Sequence, residues 1–159
     1  MKKTITIISI IITILCINKI PDNDKEMIRF RIIANSNSIE DQKLKKKVLK
    51  EVSKNIINKN IKTIDEERKF IKSNIPLIEE DVKKNTLDYK INYGKNYFPT
   101  KKYNEKIYPE GYYESLVITL GDGSGENFWC ILFPPLCMID EDENIEYKSF
   151  IKEAINKYF

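Results

Sequence analysis

The sequence contains no histidine. Histidine is the commonest general base and the commonest zinc ligand, so its absence excludes Ser-His-Asp and Cys-His mechanisms within this chain. Ser-Lys or paired-carboxylate chemistry is not excluded in this way. The residues that are present form no recognised catalytic or metal-binding spacing. We therefore predict no catalytic residue, no metal site and no cofactor.

An excess of one charge is also missing from most of the chain. The 159 residues include 27 Lys and Arg and 24 Asp and Glu, which gives a net charge of +3. Lys2, Lys3 and Lys19 supply this excess, because residues 1–20 contain no acid. Binding to nucleic acid needs clustered excess positive charge, so we predict no nucleic-acid partner. The composition, 42% hydrophobic and 32% charged, suits a folded protein.

The longest uncharged run is mostly apolar and extends from Thr4 to Asn18, directly after Lys2 and Lys3. Its fifteen residues would reach about 22 Å as a helix, which is shorter than a bilayer core of roughly 30 Å. We predict a signal peptide or short membrane anchor over residues 1–20, with the body outside the membrane. Both fates stay open, because no clear cleavage site follows. Residues 21–25 form a linker, and residues 26–159 form one domain.

Glycine is scarce, and three of the five glycines are Gly121, Gly123 and Gly125. Their G-x-G-x-G spacing differs from that of nucleotide-binding loops, and a strand follows them where such a loop would precede a helix. The segment therefore predicts the turn of a β-hairpin.

Hydrophobic periodicity predicts a strand and two helices in the first half of the domain. Residues 27–34 alternate, with Ile28, Phe30 and Ile32 on one face and arginines on the other. Ser38 is a predicted N-cap, with Asp41 as a weak capping-box partner, for a helix whose apolar stripe is Leu44, Leu49, Val48, Val52, Ile56 and Ile57. A second helix begins after the capping pair Thr63 and Glu66. Because of Pro76 it is expected to end or kink near Asn74 and to restart through Ile78 and Val82.

The second half reads mainly as strands. Residues 87–93 alternate until Gly94, residues 95–111 form a long loop, and residues 113–120 and 128–133 form two further strands. An amphipathic helix begins near Tyr147. The predicted fold class is α+β, with an antiparallel sheet and helices packed on one face.

Two of the three cysteines, Cys130 and Cys137, lie seven residues apart. This spacing is not that of a C-x-x-C redox or zinc pair. A local disulfide and two separately buried thiols both fit it.

Aromatic residues are concentrated between Tyr97 and Phe133. Those in strands are expected to pack in the core, whereas rigid aromatics beside Pro and Gly in a loop favour contact with another protein. The predicted partner-binding residues are Phe98, Tyr103, Tyr108, Tyr112 and Trp129.

Four segments together resemble one known family. They are RFRIIANSNSIEDQKLKKKV (residues 29–48), FPTKKY (98–103), YPEGYYESL (108–116) and GSGENFWCILFPPLC (123–137). They are similar to stage II sporulation protein R, although Phe128 stands where that family usually has a second Trp.

The resemblance implies a signalling protein without enzymatic activity or a small-molecule substrate. Such a protein is exported from the forespore to the intermembrane space. There it activates a membrane-embedded aspartic protease that processes the precursor of a mother-cell sigma factor. Two alternatives remain. One is an envelope carbohydrate hydrolase that uses paired carboxylates, and the other is a non-catalytic module that binds the cell envelope. The candidate carboxylates are Glu110, Glu114, Asp122 and Glu126.

Overall fold

The structure, a computed structural model, describes residues 26–57, 60–103 and 106–135. The leader and the predicted C-terminal helix lie outside these residues. The elements, in chain order, are β1 (Ile28–Ile33), α1 (Ile39–Ile56), α2 (Ile64–Lys83), β2 (Tyr89–Phe98), β3 (Lys101–Tyr103), β4 (Lys106–Tyr108), β5 (Gly111–Leu120) and β6 (Asn127–Phe133).

The main sheet has the strand order β2-β5-β1-β6 and is mixed. β1 pairs in parallel with β5, whereas the β1–β6 and β2–β5 pairs are antiparallel. The α+β class is confirmed, but the prediction of an antiparallel sheet is wrong. The predicted hairpin between β5 and β6 is also wrong, because β1 lies between these two strands. Hydrophobic alternation does not encode such an insertion, which depends on pairing across some eighty residues of sequence.

The helices cover one face of this sheet. Ile28, Phe30 and Ile32 of β1 are fully buried there, as the alternation predicted. They belong to a core that also contains Leu116, Ile118, Leu120, Val48, Leu49, Val52, Ile56, Ile71, Ile78 and Val82.

α1 begins as predicted at Ser38, whose hydroxyl accepts a hydrogen bond from the backbone N–H of Asp41. The Asp41 carboxylate does not complete a capping box. It instead accepts hydrogen bonds from Ser36 and Asn35, which follow β1. These bonds lower the pKa of Asp41 and join the end of β1 to the first turn of α1.

α2 begins with the predicted capping box between Thr63 and Glu66. The predicted end or kink near Asn74 is not an end, because α2 continues through Pro76 to Lys83. Ile78 and Val82, after the proline, are fully buried in the core. Their burial favours a continuous helix despite the hydrogen bond that proline cannot donate.

The segment predicted as a long loop is largely strand. β2 continues through Gly94 to Phe98 and pairs with β5 along its whole length. Leu87, the first residue of the predicted strand, is instead exposed and lies before the strand. β3 and β4 pair with each other and form a small hairpin between β2 and β5.

Candidate functional site

The structure separates the five predicted partner-binding aromatics into two groups. Phe98, Tyr103 and Tyr108 are buried, so their side chains are not exposed for contact. Trp129 is half-buried, and Tyr112 is 75% exposed. Partner binding by these residues stays a prediction, with Tyr112 as the most accessible of them.

Tyr112 belongs to an exposed aromatic pair at one end of the sheet. Tyr97 of β2 faces Tyr112 of β5, and their rings meet edge to face with centroids 5.7 Å apart. The Tyr97 hydroxyl donates a 2.8 Å hydrogen bond to Glu110, and this bond raises the pKa of the phenol. Exposed Ile107 lies on the neighbouring hairpin. We call Tyr97, Ile107, Glu110 and Tyr112 the aromatic tip.

Tyr97 was not among the predicted partner-binding residues. Its pairing with Tyr112 depends on β2 continuing past Gly94, whereas the sequence indicated that the strand ends there. Glycine weakens a strand interior, which is why it suggests an end. The alternation of Tyr89, Ile91 and Tyr93, extended by four residues, would have placed Tyr97 on the same face.

The sheet face opposite the helices is a second core of unusual composition. Met27, Tyr103, Tyr108, Val117 and Ile131 are among its buried members, and the β3–β4 hairpin contributes the two tyrosines. Arg29 lies within this core and is 0% exposed. The alternation placed Arg29 on this face, but it did not indicate that the face would be covered.

Aromatic rings surround both arginines of β1. The Arg29 guanidinium carbon lies 4.4 Å from the ring centroid of Phe98 and 4.5 Å from that of Tyr113. The Arg31 guanidinium carbon lies 5.1 Å from the ring centroid of Trp129. Lys101 from the hairpin places its Nζ 4.5 Å from the same ring of Trp129. These distances are those of cation–π contacts.

Two of the four candidate carboxylates, those of Glu114 and Glu110, take part in structural contacts. Glu114 accepts a 2.8 Å hydrogen bond from Arg68 of α2 and another from the Tyr93 hydroxyl. Burial, followed by this bond to Glu114, raises the pKa of Tyr93. Glu110 accepts from Tyr97, as described above. The Glu114 contacts join α2 to the sheet and β2 to β5, so they stabilise the fold.

Asp122 and Glu126 lie in the turn that connects β5 with β6. The Asn35 side-chain oxygen accepts from the backbone N–H of Asp122, and that of Asn37 accepts from the N–H of Glu126. Buried Lys45 donates to the Glu126 carbonyl. The turn is thus fastened to the end of β1 and to α1, as a structural crossover.

One buried carboxyl was not singled out from the sequence. Glu67 of α2 is 3% exposed, and burial raises its pKa to about 7. Its charge is also among the causes that raise the pKa of Tyr93. Position 67 lies one turn before Ile71 on the inward face of α2, which is the signal that the sequence offered.

Cys130 is disulfide-bonded and fully buried. Its partner lies outside the described residues, so pairing with Cys137 stays a prediction.

Within residues 26–57, 60–103 and 106–135, no three His, Cys, Asp or Glu side chains cluster in a way that could hold a metal ion. In the same part of the chain, neither helix is both long and apolar enough to span a bilayer.

The described residues thus define a small α+β protein with an exposed aromatic tip and with the Glu110 and Glu114 carboxylates hydrogen-bonded within the fold. A family model for stage II sporulation protein R matches residues 24–143. The chain belongs to the stage II sporulation protein R family.

Stage II sporulation protein R of Bacillus subtilis (strain 168) is 43% identical to this chain over 130 residues. The match covers 76% of this chain and 56% of the relative, so the chain spans little more than half the length of that protein. No solved structure matches the chain significantly.

Proposed function

We propose that this chain is an exported sporulation signal that activates a membrane-embedded aspartic protease. That protease then processes the precursor of a mother-cell sigma factor. In this proposal the body acts in the space between forespore and mother cell, after export directed by residues 1–20. It is secreted there or remains anchored to the membrane, and it is not itself a catalyst.

Membership of the stage II sporulation protein R family is the observation that carries the proposal. It supports a role in sporulation directly, and the signalling role follows from what the resemblance implies. The absence of histidine agrees with a protein that does not catalyse. The Glu114 bonds from Arg68 and Tyr93 and the Glu110 bond from Tyr97 join parts of the fold, which supports a structural use of these two carboxylates.

The aromatic tip is the contact surface that we propose for the protease. Tyr112 and Tyr97 are exposed, their rings contact each other edge to face, and the Tyr97 hydroxyl is hydrogen-bonded to Glu110. Preorganised rings lose little conformational freedom on binding, so more of the contact energy is available for affinity. Tyrosines are also enriched among the residues that dominate binding energy in protein interfaces.

Co-expression of the chain with the protease and the sigma-factor precursor tests the proposal, with precursor cleavage as the readout. The wild-type chain should trigger cleavage. Tyr112→Ala should reduce cleavage about tenfold or more at limiting signal, since loss of an interface anchor costs about 2 kcal/mol and about 1.4 kcal/mol is tenfold. Leu87→Ala is the matched control, because Leu87 is 85% exposed and lies beyond the opposite end of β2.

Both variants must fold and be exported for this comparison to count. Full cleavage with Tyr112→Ala would place the contact elsewhere on the chain. If the purified chain hydrolysed a wall polymer unaided, and Glu114→Gln abolished that hydrolysis without unfolding it, the enzyme alternative would replace the proposal.

A further inference from the structure

The sheet face opposite the helices, which we call the basic face, carries Arg and Lys side chains. Alternate positions on this face are occupied by Arg29 and Arg31 of β1 and by Lys90 of β2. No Asp or Glu occupies this face in the four described strands of the main sheet. Among the described residues, the ion pairs join helix residues to one another or to Glu114, which points to the other face.

Several hydrogen-bond donors of the two arginines on the basic face are not used by the described residues. Arg29 Nη2 donates only a long bond, 3.5 Å, to the Tyr103 hydroxyl. Among the described residues, no group accepts a hydrogen bond from the buried Nε and Nη1 of Arg29 or from the buried Nε of Arg31. Buried charge is costly unless it is paired and hydrogen-bonded. Rings partly offset this cost for Arg29, but they accept no conventional hydrogen bond from the guanidinium.

Three half-buried side chains form the accessible rim of this face: Arg31, Lys101 and Trp129. Arg31 and Trp129 are direct cross-strand neighbours on β1 and β6. Lys101 reaches the indole ring from the hairpin. Two cations therefore stand beside one aromatic plane, above the buried Arg29.

We infer that this rim binds a carboxylate-rich segment of a protein partner. A Glu or Asp side chain would accept hydrogen bonds from the Arg31 guanidinium and from Lys101, while the flanking backbone packs on Trp129. Arginine matches a carboxylate in a planar, two-bond geometry, which makes such contacts strong and directional. The inference deepens the proposed function and rests on it, because the acidic segment would belong to the protease.

The recessed position of these donors favours a peptide over a flat membrane surface. Arg31 is half-buried between the rings of Phe98 and Trp129, with its guanidinium carbon 5.2 Å and 5.1 Å from their centroids. A single side-chain carboxylate can reach a donor between two rings. A plane of lipid headgroups would meet the protruding lysines of the hairpin first.

Binding can be measured directly, because Trp129 is the only tryptophan in the chain. The purified full chain is titrated with a ten-residue peptide of alternating Glu and Ser while indole fluorescence is recorded. The peptide with Gln in place of Glu is the uncharged comparison. We expect a saturable change with the Glu peptide alone, and weaker binding as salt rises.

Arg31→Gln and Lys101→Gln should each lower the affinity for the Glu peptide about tenfold or more, as expected for a charge-assisted contact. Lys46→Gln is the matched control, because it removes the same charge from an exposed position on α1. Thermal melts verify that all three variants fold. The inference is overturned if neither peptide changes the fluorescence, or if Lys46→Gln weakens binding as much as Arg31→Gln does.

Other occupants are distinguished in the same assay. If inorganic phosphate at the same concentration saturates the fluorescence change, the ligand of the rim is a simple anion. If phosphatidylglycerol vesicles saturate it and the peptide has no effect, the ligand is a membrane surface. Peptide binding seen only after Asp140, Glu141, Asp142 and Glu143 are changed to amides would make the chain's own acidic segment the occupant. Each of these results would overturn the inference that a segment of a protein partner binds the rim.

The protease assay separates this inference from the proposed function. If Arg31→Gln loses peptide binding but still triggers precursor cleavage fully, the acidic contact is overturned and the signalling role stands. If the wild-type chain binds the peptide but triggers no cleavage with the protease present, the signalling role fails instead.

Discussion

At Arg29, the faces of aromatic rings take the place that a carboxylate usually holds beside a buried arginine. Each cation–π contact is worth about 0.5–2 kcal/mol, and Arg29 makes three, with Phe98, Tyr113 and Tyr103. The sequence showed on which face of β1 the arginine lies. It could not show that a hairpin seventy residues later would cover it, because periodicity along one strand carries no information about a distant element.

Glu67 is the residue whose burial predicts a pH dependence of stability. Its pKa is about 7 in the folded chain, against an ordinary value of 4.5. Between these values the folded state binds more protons than the unfolded state, so the free energy of unfolding falls as pH rises. The contribution of Glu67 is fully present below about pH 4.5 and is lost as the pH passes through about 7.

Glu67→Gln should remove this dependence, because an amide does not ionise. Relative to wild type, the variant should gain on the order of 3 kcal/mol in free energy of unfolding between pH 4.5 and pH 8. Denaturant melts at both pH values provide the measurement. Glu80→Gln, on the solvent side of α2, is the control and should show no such change. Parallel pH curves for wild type and Glu67→Gln would contradict the prediction.

At the scale of elements, the turn between β5 and β6 must pass over the end of β1, because β1 lies between these two strands. Backbone bonds fasten it there, from Gly125 to the Ala34 carbonyl and from Ser124 to that of Asn35. Gly121 and Gly123 have φ values of +53° and +67°, which favour glycine. The sequence indicated a turn correctly, but the same glycines would equally suit a hairpin.

Gly125→Ala should therefore destabilise the fold. An added Cβ would lie 2.5 Å from the Ser36 carbonyl carbon, and backbone cannot withdraw as a flexible side chain can. We expect a loss of about 2 kcal/mol, within the range for overpacking. At Gly94, the nearest atom to an added Cβ is a side-chain oxygen 3.6 Å away. Gly94→Ala should thus be neutral or slightly stabilising in the same urea melts, and equal losses would contradict this account.

Elements with a strong local signal could be predicted from the sequence. The cap at Ser38, the capping box at Thr63 and the inward residues of β1 and β5 all lie where their patterns indicate. The errors fall where tertiary packing overrides a local rule. α2 continues through Pro76 because its last turns are buried, and β2 continues through Gly94 because β5 pairs with it.

For the molecule as a whole, the covered second face changes which residues can meet a partner. The predicted site mixed core and surface aromatics, because side-chain type alone does not distinguish them. Folding the hairpin over Arg29 buries Tyr103 and Tyr108 and leaves Tyr112 exposed at the tip. Three of the five predicted aromatic residues, Phe98, Tyr103 and Tyr108, therefore belong to the core, and the surface that remains combines rings with nearby lysines.

The compartment in which the whole chain acts can be tested through Cys130. A disulfide at Cys130 persists in an oxidising compartment and is rarely kept in a reducing cytoplasm. If residues 1–20 direct export, changing Ile10 and Ile12 to Asp should prevent it, since each Asp costs roughly 3 kcal/mol near the centre of an apolar segment. The chain retained in the cytoplasm should then carry a Cys130 thiol.

Alkylation of chains taken from cells and denatured without reductant measures this difference, with the Cys130 peptide resolved by mass. Wild-type Cys130 should stay unlabelled, whereas the double Asp variant should be labelled. Changing Ile10 and Ile12 to Val keeps the run apolar and should leave Cys130 unlabelled, because the leader would still function. An oxidised Cys130 in the Asp variant would contradict the prediction that residues 1–20 direct the chain to an oxidising compartment. A labelled Cys130 in the exported wild type would instead show that the disulfide does not form where the protein acts.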